Sequence, residues 1–404
     1  MPVRPQEGDL QEFLTRGVSQ VIVKEDLANA LRSGERRLRV KQGFDPTSKN
    51  LHLGHAVPLR KMRTFARWGH EIVLIVGDWT TQIGDPTDKD LTRPTRSRDE
   101  VLTNAQTYLD QFHLIVPREN TRVVLQDEWY GKFGLRDVID LAARFTTQQM
   151  LAREEFRKRQ AAGTPIPIKD LLYPLLQAYD SVAIGADVEM GGTDQLFNIL
   201  AGRELQEMLG QPPQSVFITE LLEGLDGAKM SKSIPHTGVW LTDPPNDVYG
   251  KVMSISDDLM PHWFEWGTEM PLSEVRATLD ATARGDLHPA EAKRRLAHRI
   301  VCELHSAAAA EEAAAAFDRT VRRREVPEEI PEVRVERNGE RAVPIVDLLV
   351  RAGLERSTGA ARRLVEQGGV KVDDAKADLA TTVPTDGSPV IQHGRRRYAR
   401  IRWI

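Results

Sequence analysis

The sequence predicts an α/β protein: a Rossmann-like parallel sheet, then an all-helical region, then a small C-terminal α+β module. Up to Trp240 the chain alternates short apolar runs with helical patterns, which is typical of βαβ units. The run Glu71–Val76 is almost continuously apolar, as expected of a strand buried on both faces. From Asp243 to about Arg324 only helical patterns occur, and a compact module follows from about Ala342.

Local patterns predict the individual elements of the sheet. Pro46 restricts Asp45 to extended conformations at the end of the first strand-like run. Apolar residues then recur at spacings of three and four from Ala56 to Ala66, which predicts a helix that ends near Gly69. The predicted strands are Leu38–Gly43, Glu71–Val76, Arg122–Leu125, Ala186–Met190 and Ser215–Thr219.

Changes in composition predict the domain boundaries. Pro165 and Pro167 break a helical insertion within the sheet-containing domain. Pro327 and Pro331 interrupt a charge-rich stretch of little apolar content, which indicates a linker. The predicted divisions are a sheet-containing domain at 1–238 with its insertion at about 128–179, an α-helical domain at 239–325, a linker at 326–341 and a C-terminal domain at 342–404.

Length and composition exclude several classes of protein. The chain has 404 residues, of which 40% are hydrophobic and 28% are charged, so it can bury a core and is not disordered as a whole. Its apolar runs are too short to cross a bilayer, and no signal peptide is evident. Cys302 is the only cysteine, which excludes an intrachain disulfide and a cysteine-based zinc site. We expect a cytoplasmic protein without membrane association or zinc.

The net charge of −4 is unevenly distributed along the chain. Residues 341–404 carry 12 basic and 7 acidic residues, a net charge of +5, whereas the rest carries 43 and 52, a net charge of −9. A basic module on an acidic body favours a polyanionic partner for the C-terminal end, although an incidental charge fluctuation is the alternative.

Two motifs at predicted loops suit phosphate chemistry. His52-Leu53-Gly54-His55 stands at a strand-to-helix turn, where a helix N-terminus attracts phosphate and two imidazoles share one helical face. Gly54 leaves room for the close approach of a ligand. The second motif, Lys229-Met230-Ser231-Lys232-Ser233, can close over a triphosphate and stabilise a departing pyrophosphate. Surface histidines and a solvated basic loop are the alternatives.

This pair of motifs resembles the class I aminoacyl-tRNA synthetases, and four further motifs narrow the resemblance to the bacterial tyrosyl-tRNA synthetases. The resemblance runs from about Val40 to Gly250 and resumes in the C-terminal module. It implies activation of L-tyrosine with ATP and transfer of tyrosine to the 3′ end of tRNA(Tyr). The four motifs are Gly43-Phe44-Asp45-Pro46-Thr47, Gly84-Asp85-Pro86-Thr87, Tyr173 with Gln177-Ala178-Tyr179-Asp180, and Gly191-Gly192-Thr193-Asp194-Gln195.

The resemblance also implies a role for each matching residue, against the alternative of helix caps and surface charges. Tyr173, Gln177 and Asp85 match groups that bind the ammonium of tyrosine, and Asp180 matches the carboxylate that accepts a hydrogen bond from the phenol. Residues that match contacts to ATP are Asp45, Thr47, Gly54, Gly192, Asp194 and Gln195. Residues that match groups on the phosphates and the pyrophosphate are His52, His55, Lys89, Arg93, Lys229 and Lys232.

Two positions of the expected tyrosine site depart from the family pattern. Lys41 stands where the family often has a tyrosine that contacts the phenol, and Glu189 stands where it often has a glutamine. Lys41 and Glu189 either pair with each other beside the ligand or both point away from it.

The C-terminal module resembles the S-four-type RNA-binding module in the segments Ile345–Leu349 and Ser357–Val372. Arg362 and Arg363 lie on its short helix and Lys371 lies on the following strand, so we expect these three residues to bind the phosphate backbone of RNA. A charged surface helix without a ligand is the alternative.

The expected chemistry needs few special groups. The attacking carboxylate is ionised at about pH 7, so in-line attack on the α-phosphate requires no general base. We expect ATP as a substrate with Mg²⁺, no organic cofactor, and a homodimer formed through the insertion, as the resemblance implies. The alternatives are a tryptophan–tRNA ligase, a His-x-Gly-His nucleotidyltransferase and a non-catalytic RNA-binding relative.

Overall fold

The computed structural model describes residues 2–46, 50–85, 98–228, 230, 237–322, 330–394 and 397–404. The chain divides into two compact units, Met1–Ala310 and Glu311–Ile404. The first unit is built on a sheet of six strands. They are β1 (Val18–Ile22), β2 (Arg39–Phe44), β3 (Glu71–Val76), β4 (Thr121–Leu125), β5 (Val188–Gly192) and β6 (Ser215–Thr219).

The order of strands in this sheet is β1-β6-β5-β2-β3-β4. Strands β2 to β6 pair in parallel, whereas β1 pairs antiparallel with β6 at one edge. The chain proceeds from β2 to β3 on one side, and β5 joins β2 on the other. In such sheets the carboxyl ends of the two strands at the reversal border a crevice for ligands, which here lies between β2 and β5.

The predicted fold class is confirmed, and each of the five predicted strands is present within about two residues of its predicted bounds. Strand β1 was not predicted. Its pattern of partly exposed residues gives no continuous apolar run, because it lies at the sheet edge with one antiparallel neighbour.

Helices cover both faces of the sheet, and apolar spacing explains the helix that follows β2. Helix α3 buries Ala56, Leu59, Met62 and Phe65, which recur at intervals of three and four. The helices up to β4 are α1 (Glu7–Phe13), α2 (Lys24–Ser33), α3 (Leu53–Arg67), α4 (Thr80–Ile83) and α5 (Arg98–Phe112).

The insertion between β4 and β5 is helical, as predicted, and its long last helix packs against the helix that follows β5. The break predicted at Pro165 and Pro167 separates two of its helices. The helices are α6 (Asp127–Tyr130), α7 (Leu135–Ala142), α8 (Thr147–Leu151), α9 (Glu154–Ala161) and α10 (Ile168–Ile184), followed after β5 by α11 (Leu196–Met208).

The region after Trp240 is helical, with Trp263 and Tyr249 fully buried. It is attached to α3 by an ion pair of 2.9 Å between Arg60 Nη2 and Glu303 Oε2. Its helices are α12 (Pro245–Met253), α13 (Met260–Glu265), α14 (Leu272–Ala283), α15 (Pro289–Leu304) and α16 (Ala307–Arg322), the last of which crosses the division between the two units.

The second unit packs two helices against a five-stranded sheet and a separate pair of strands. The order of the sheet is β10 (Ala375–Lys376), β9 (Val370–Val372), β12 (Val390–His393), β13 (Arg397–Trp403) and β7 (Glu332–Val335), and the pair is β8 (Ala342–Pro344) with β11 (Thr382–Pro384). Strand β7 lies inside the predicted linker at 326–341. It pairs with β13, and its Val335 is buried in the core of this unit. The helices are α17 (Ile345–Arg351) and α18 (Thr358–Glu366). Among the described residues, no helix has the length and apolar character needed to span a bilayer.

Candidate active site

A cavity of about 250 Å³ lies at the carboxyl ends of β2, β3 and β5, where the strand order predicts a ligand crevice. Helix α10 supplies one wall. The predicted site residues that line the cavity are Asp45, His55, Asp85, Tyr173, Gln177, Asp180, Glu189, Gly192, Asp194 and Gln195.

The remaining predicted site residues of the sheet-containing domain fall into two groups. Lys41, His52 and Gly54 are described by the structure but are not among the residues that line this cavity. The other group lies outside the described residues, and its roles stay predictions: Thr47, Lys89, Arg93, Lys229 and Lys232.

Asp180 is buried at one end of the cavity, where the Tyr130 hydroxyl lies 3.4 Å from its Oδ1 and two closer donors hold it. Gln126 Nε2 donates to its Oδ2 at 2.8 Å, and Trp129 Nε1 donates to its Oδ1 at 3.1 Å. Burial raises the pKa of Asp180 to about 7, although the nearby Lys41 ammonium opposes the shift. The structure therefore places a fixed, weakly acidic carboxyl group where a ligand with a hydroxyl could meet it.

Asp45 links the end of β2 to the cavity wall. Its Oδ1 accepts from Thr80 Oγ1 at 2.7 Å, and its Oδ2 accepts from the Tyr173 hydroxyl at 2.9 Å. Burial and the nearby carboxylates raise the pKa of Tyr173, so the phenol stays protonated and donates. Gly77 makes this arrangement possible, because a Cβ there would lie 2.1 Å from Asp45 Oδ1.

Lys41 and Glu189 pair with each other under the cavity. Val40 and Lys41 of β2 face Val188 and Glu189 of β5 in register, so the two charged side chains leave neighbouring strands together. Lys41 Nζ lies 3.0 Å from Glu189 Oε1, and both residues are at most 1% exposed. Glu189 reaches the cavity, whereas Lys41 supports it from behind.

A row of amides connects Glu189 with Asp85. Gln177 Nε2 donates to Glu189 Oε1 at 3.2 Å, and Asn198 Nδ2 donates to Gln177 Oε1 at 2.9 Å. Asn198 Nδ2 also lies 3.2 Å from Gln195 Oε1, and Gln195 Nε2 donates to Asp85 Oδ2 at 2.9 Å. These contacts join the middle of α10 to the start of α11 across the cavity.

Arg153 completes this row from the helical insertion. Its Nη2 lies 3.3 Å from Asp85 Oδ1, and its guanidinium also faces the rings of Phe156 and Phe197 at about cation–π distance. The residue is 3% exposed, so the insertion supplies a buried cation to a carboxylate of the cavity.

The two histidines begin α3, with ring centroids 3.8 Å apart. His55 Nδ1 accepts from the His52 backbone N–H at 3.1 Å. A Cβ at Gly54 would lie 3.0 Å from His52 Nδ1, so glycine at this position avoids crowding against the histidine ring. The backbone at the start of α3 also contacts the segment that follows the lysine-rich motif at 229–233. The Leu53 N–H donates to Val239 O at 2.8 Å.

The predicted RNA-binding residues are exposed in the second unit. Arg362 and Arg363 lie on α18, whose N-terminus is capped by Ser357 Oγ accepting from Ala360 N–H at 3.3 Å. Lys371 lies on β9 and also faces solvent. Exposed cations on a helix and an adjacent strand of the same unit suit contact with a polyanion.

Comparisons with known proteins agree with this geometry. The family described as tRNA synthetases class I (W and Y) matches residues 32–322, and the S4 domain family matches residues 343–386. A tyrosine–tRNA ligase of Dehalococcoides mccartyi is 50% identical over 98% of both chains. That of Geobacter sulfurreducens is 44% identical over 97% of this chain and 98% of the relative.

The chain belongs to the tyrosine–tRNA ligase family of class I tRNA synthetases. This confirms the resemblance predicted from the motifs. The tyrosyl-tRNA synthetase of Archaeoglobus fulgidus superposes with a TM-score of 0.60 at 21% identity, over 76% of this chain and 99% of that chain. The tryptophanyl-tRNA synthetase of Plasmodium falciparum has a TM-score of 0.58 at 14% identity, over 77% and 89%. At these identities both show the shared fold alone.

Several residues around this synthetase site were not predicted from the sequence. Each of them except Gly77 supports a predicted site residue through a side-chain contact, and no local pattern marks it. The sequence does contain a signal for Gly77, since a glycine directly after a buried strand often permits the close approach of another group. These residues are Gly77, Thr80, Gln126, Trp129, Arg153, Ser181, Asn198 and Gln214.

The titration of Asp180 predicts a pH dependence of side-chain discrimination. Burial raises the pKa of Asp180 to about 7, so the group is a carboxylate above that pH and a neutral carboxyl group below it. A carboxylate accepts a hydrogen bond from a phenol more strongly than a neutral acid does. The ratio of kcat/KM for tyrosine to kcat/KM for phenylalanine should fall as the pH is lowered from about 8 to about 6.

Pyrophosphate exchange with each amino acid across this pH range measures the ratio. Any titrating group that does not contact the substrate hydroxyl affects both amino acids alike and cancels in the ratio, because phenylalanine differs only by that hydroxyl. A ratio that stays constant with pH would show that Asp180 does not titrate in contact with the phenol.

Crowding at Gly77 predicts a second effect. In Gly77→Ala the new Cβ displaces Asp45, which loses its hydrogen bonds to Thr80 and Tyr173. We expect kcat/KM for tyrosine in pyrophosphate exchange to fall by about tenfold or more, since a hydrogen bond to a charged group contributes ~1.5–3 kcal/mol. Gly250→Ala is the matched control, because a Cβ at Gly250 meets nothing within 4 Å. Equal activity of the two variants would contradict the role given to Asp45.

Proposed function

We propose that the chain activates L-tyrosine with ATP, forming tyrosyl-adenylate and pyrophosphate, and then transfers tyrosine to the 3′ end of tRNA(Tyr). The observation that carries this proposal is the buried Asp180, held by Gln126 and Trp129 at the end of a cavity in the synthetase crevice. A phenol hydroxyl is the side-chain group that a fixed carboxyl acceptor at this depth would select.

The phenol subsite discriminates by satisfying a buried acceptor. The hydroxyl of tyrosine donates to Asp180 while Gln126 and Trp129 hold both carboxylate oxygens in place. Phenylalanine fills the same space without offering a donor, which leaves the buried carboxylate less well compensated. Leaving a buried polar group unsatisfied costs ~1–3 kcal/mol, and more for a charged group.

The amino end of the substrate meets the opposite part of the cavity. Gln177 and Tyr173 stand one turn apart on α10 and face the same side, and Asp85 lies across from them. These residues bind the ammonium and thereby direct the substrate carboxylate towards the α-phosphate. Tyr173 also donates to Asp45, which stands beside the α-phosphate, so one hydrogen bond ties the two subsites together. Such positioning supplies much of the rate when the nucleophile is already ionised.

The N-terminus of α3 and its histidines receive the ATP phosphates. His52 and His55 stand at the N-terminal end of the helix, where the helix dipole favours negative charge, and both stabilise charge on the departing pyrophosphate. Gly192 ends β5, Asp194 and Gln195 follow it, and all three line the cavity. In this proposal they contact the ribose and adenylate. Lys89, Arg93, Lys229 and Lys232 supply further positive charge, as the family resemblance implies. Mg²⁺ enters bound to the ATP phosphates, its ordinary oxygen ligands.

The second unit binds tRNA(Tyr) in this proposal. Its exposed Arg362, Arg363 and Lys371 contact the phosphate backbone, and the S4 domain match at residues 343–386 supports that role. A cytoplasmic location follows from the part that tRNA charging plays in translation.

Truncation tests whether the first unit activates tyrosine and the second unit binds tRNA. A chain that ends at Arg322 keeps α16 and every motif of the cavity, so it should retain tyrosine-dependent ATP–pyrophosphate exchange and lose most tRNA charging. The full-length variant R362E/R363E should lose charging in the same way, since charge reversal removes attraction to phosphate.

The proposal is wrong in its first half if the full chain exchanges pyrophosphate as fast with tryptophan as with tyrosine. The tRNA-binding role given to the second unit is wrong if the truncated chain or R362E/R363E charges tRNA(Tyr) normally.

The active form is proposed to be a homodimer joined through the insertion. Leu135 and Ile139 lie one turn apart on α7 and are 77% and 57% exposed, and Ile168 at the start of α10 is 78% exposed. Apolar side chains at this exposure in one helical insertion favour contact with a second copy of the chain.

Charge on this surface should separate the subunits. L135K/I139K is expected to sediment as a monomer at concentrations where the wild type is a dimer, because lysines oppose burial in an apolar interface. Leu114→Lys is the matched control, since Leu114 is 62% exposed and lies outside the insertion. Analytical ultracentrifugation decides the matter, and a double variant that remains dimeric would place the interface elsewhere.

A further inference from the structure

The ion pair under the cavity has every hydrogen-bonding position filled. Lys41 Nζ has three N–H groups, and it lies 3.0 Å from Glu189 Oε1, 2.7 Å from Ser181 Oγ and 3.1 Å from Gln177 O. Glu189 also accepts at Oε2 from Ser181 Oγ at 3.0 Å and from Gln214 Nε2 at 2.6 Å. Four different side chains therefore donate to one buried carboxylate.

This donor set fixes the orientation of the Gln177 amide. An ionised carboxylate only accepts hydrogen bonds, so the group that Gln177 turns towards Glu189 must be its NH₂. The carbonyl oxygen of Gln177 then faces the other way, where Asn198 Nδ2 donates to it. That oxygen keeps a second lone pair.

The far end of the amide row is fixed by the same logic. Asp85 only accepts, so Gln195 turns its NH₂ towards Asp85 and its oxygen towards Asn198. The oxygens of Gln177 and Gln195 thus both lie within 3.2 Å of Asn198 Nδ2. Lys41 and Arg153 balance the two terminal carboxylates.

We propose that Glu189, held by Lys41, is a positioning residue that fixes the Gln177 amide with its oxygen available to the ammonium of the amino-acid substrate. The proposal rests on the proposed function, in which Gln177 binds that ammonium. A neutral glutamine at position 189 could offer either an oxygen or an NH₂ to Gln177. A carboxylate offers only an acceptor, so one orientation of the subsite remains.

The same argument explains why Lys41 accompanies Glu189. A buried carboxylate without a cation is costly, and removing one partner of a buried ion pair strands the other charge. Lys41 therefore acts through Glu189 on the amino end of the substrate, and it does not contact the phenol.

The test compares two double variants that both remove the ion pair. In K41M/E189Q, the amide at position 189 can offer its oxygen to Gln177 and its NH₂ to Ser181 Oγ and to the Gln214 oxygen, which is buried without a partner. In K41M/E189L, no acceptor remains for Gln177. Neither variant leaves an unpaired charge, and replacing a buried pair in this way is often neutral for stability.

Three ligands separate the subsites. Tyrosine has the phenol, the ammonium and the carboxylate; tyramine lacks the carboxylate; 3-(4-hydroxyphenyl)propanoate lacks the ammonium. Relative to K41M/E189Q, the Leu variant should raise the KM of tyrosine and the inhibition constant of tyramine by about tenfold, the effect of one lost charge-assisted hydrogen bond. The inhibition constant of 3-(4-hydroxyphenyl)propanoate should stay unchanged.

Glu303→Gln is the control for a merely structural loss, since Glu303 is a similarly bonded carboxylate distant from the cavity lining. It should lower the melting temperature and leave all three ligand constants unchanged. If K41M/E189L does not fold, K41M/E189M makes the same comparison with an unbranched side chain.

Two outcomes would overturn the proposal. Equal ligand constants in the wild type, K41M/E189Q and K41M/E189L would show that position 189 does not orient Gln177. An equal loss for all three ligands would show a general disturbance of the pocket. In either case wild-type exchange with tyrosine would still stand, so the proposed function fails separately, on the absence of that exchange.

Discussion

The gathering of four carboxylates around one cavity, two of them buried and two half-buried, is the constraint on which the rest of the site depends. Asp45, Asp85, Asp180 and Glu189 all line it, and each accepts hydrogen bonds from at least two side chains. Removing a carboxylate from water costs several kcal/mol unless donors or cations replace the water, on the order of what a whole domain has to spare. Much of the polar core between α10, α11 and the sheet therefore exists to compensate these groups.

Sheet topology explains why so many charged groups can meet there. The strand order reverses between β2 and β5, so the segments after both strands and after β3 point into one crevice. Asp45 follows β2, Thr80 follows β3 and Asp194 follows β5. The helical insertion contributes to the same crevice. Its helix α10 supplies Tyr173 and Gln177, and its Arg153 pairs with Asp85.

Sequence patterns were sufficient for the parallel strands, the helical regions and the family motifs, because each of these is a local signal. Periodicity located α3, and a continuous apolar run located β3. The supporting residues were not predictable, because their roles arise from contacts across the fold. Gln126 meets Asp180 from a segment 54 residues away, and Thr80 meets Asp45 across 35 residues.

The same distinction applies to Lys41 and Glu189. The sequence revealed two unusual charges of opposite sign, but only the register of β2 against β5 places them side by side. Strand β7 was not predicted from the sequence. Its local composition is charged, and its place in the second sheet is decided by pairing with β13. Local composition therefore identified the chemistry of these residues, and tertiary pairing decided their positions.

Asp180 and Glu189 show how similar groups perform different tasks in one cavity. Glu189 has a lysine at 3.0 Å and three further donors, so its charge is compensated whether or not a ligand is bound. Within the part of the chain that the structure describes, Asp180 forms no ion pair, and burial raises its pKa to about 7. A compensated carboxylate can organise amides permanently. A carboxylate that lacks full compensation gains most from a new donor, which is why the phenol end of the cavity can discriminate between substrates while the amino end holds them in place.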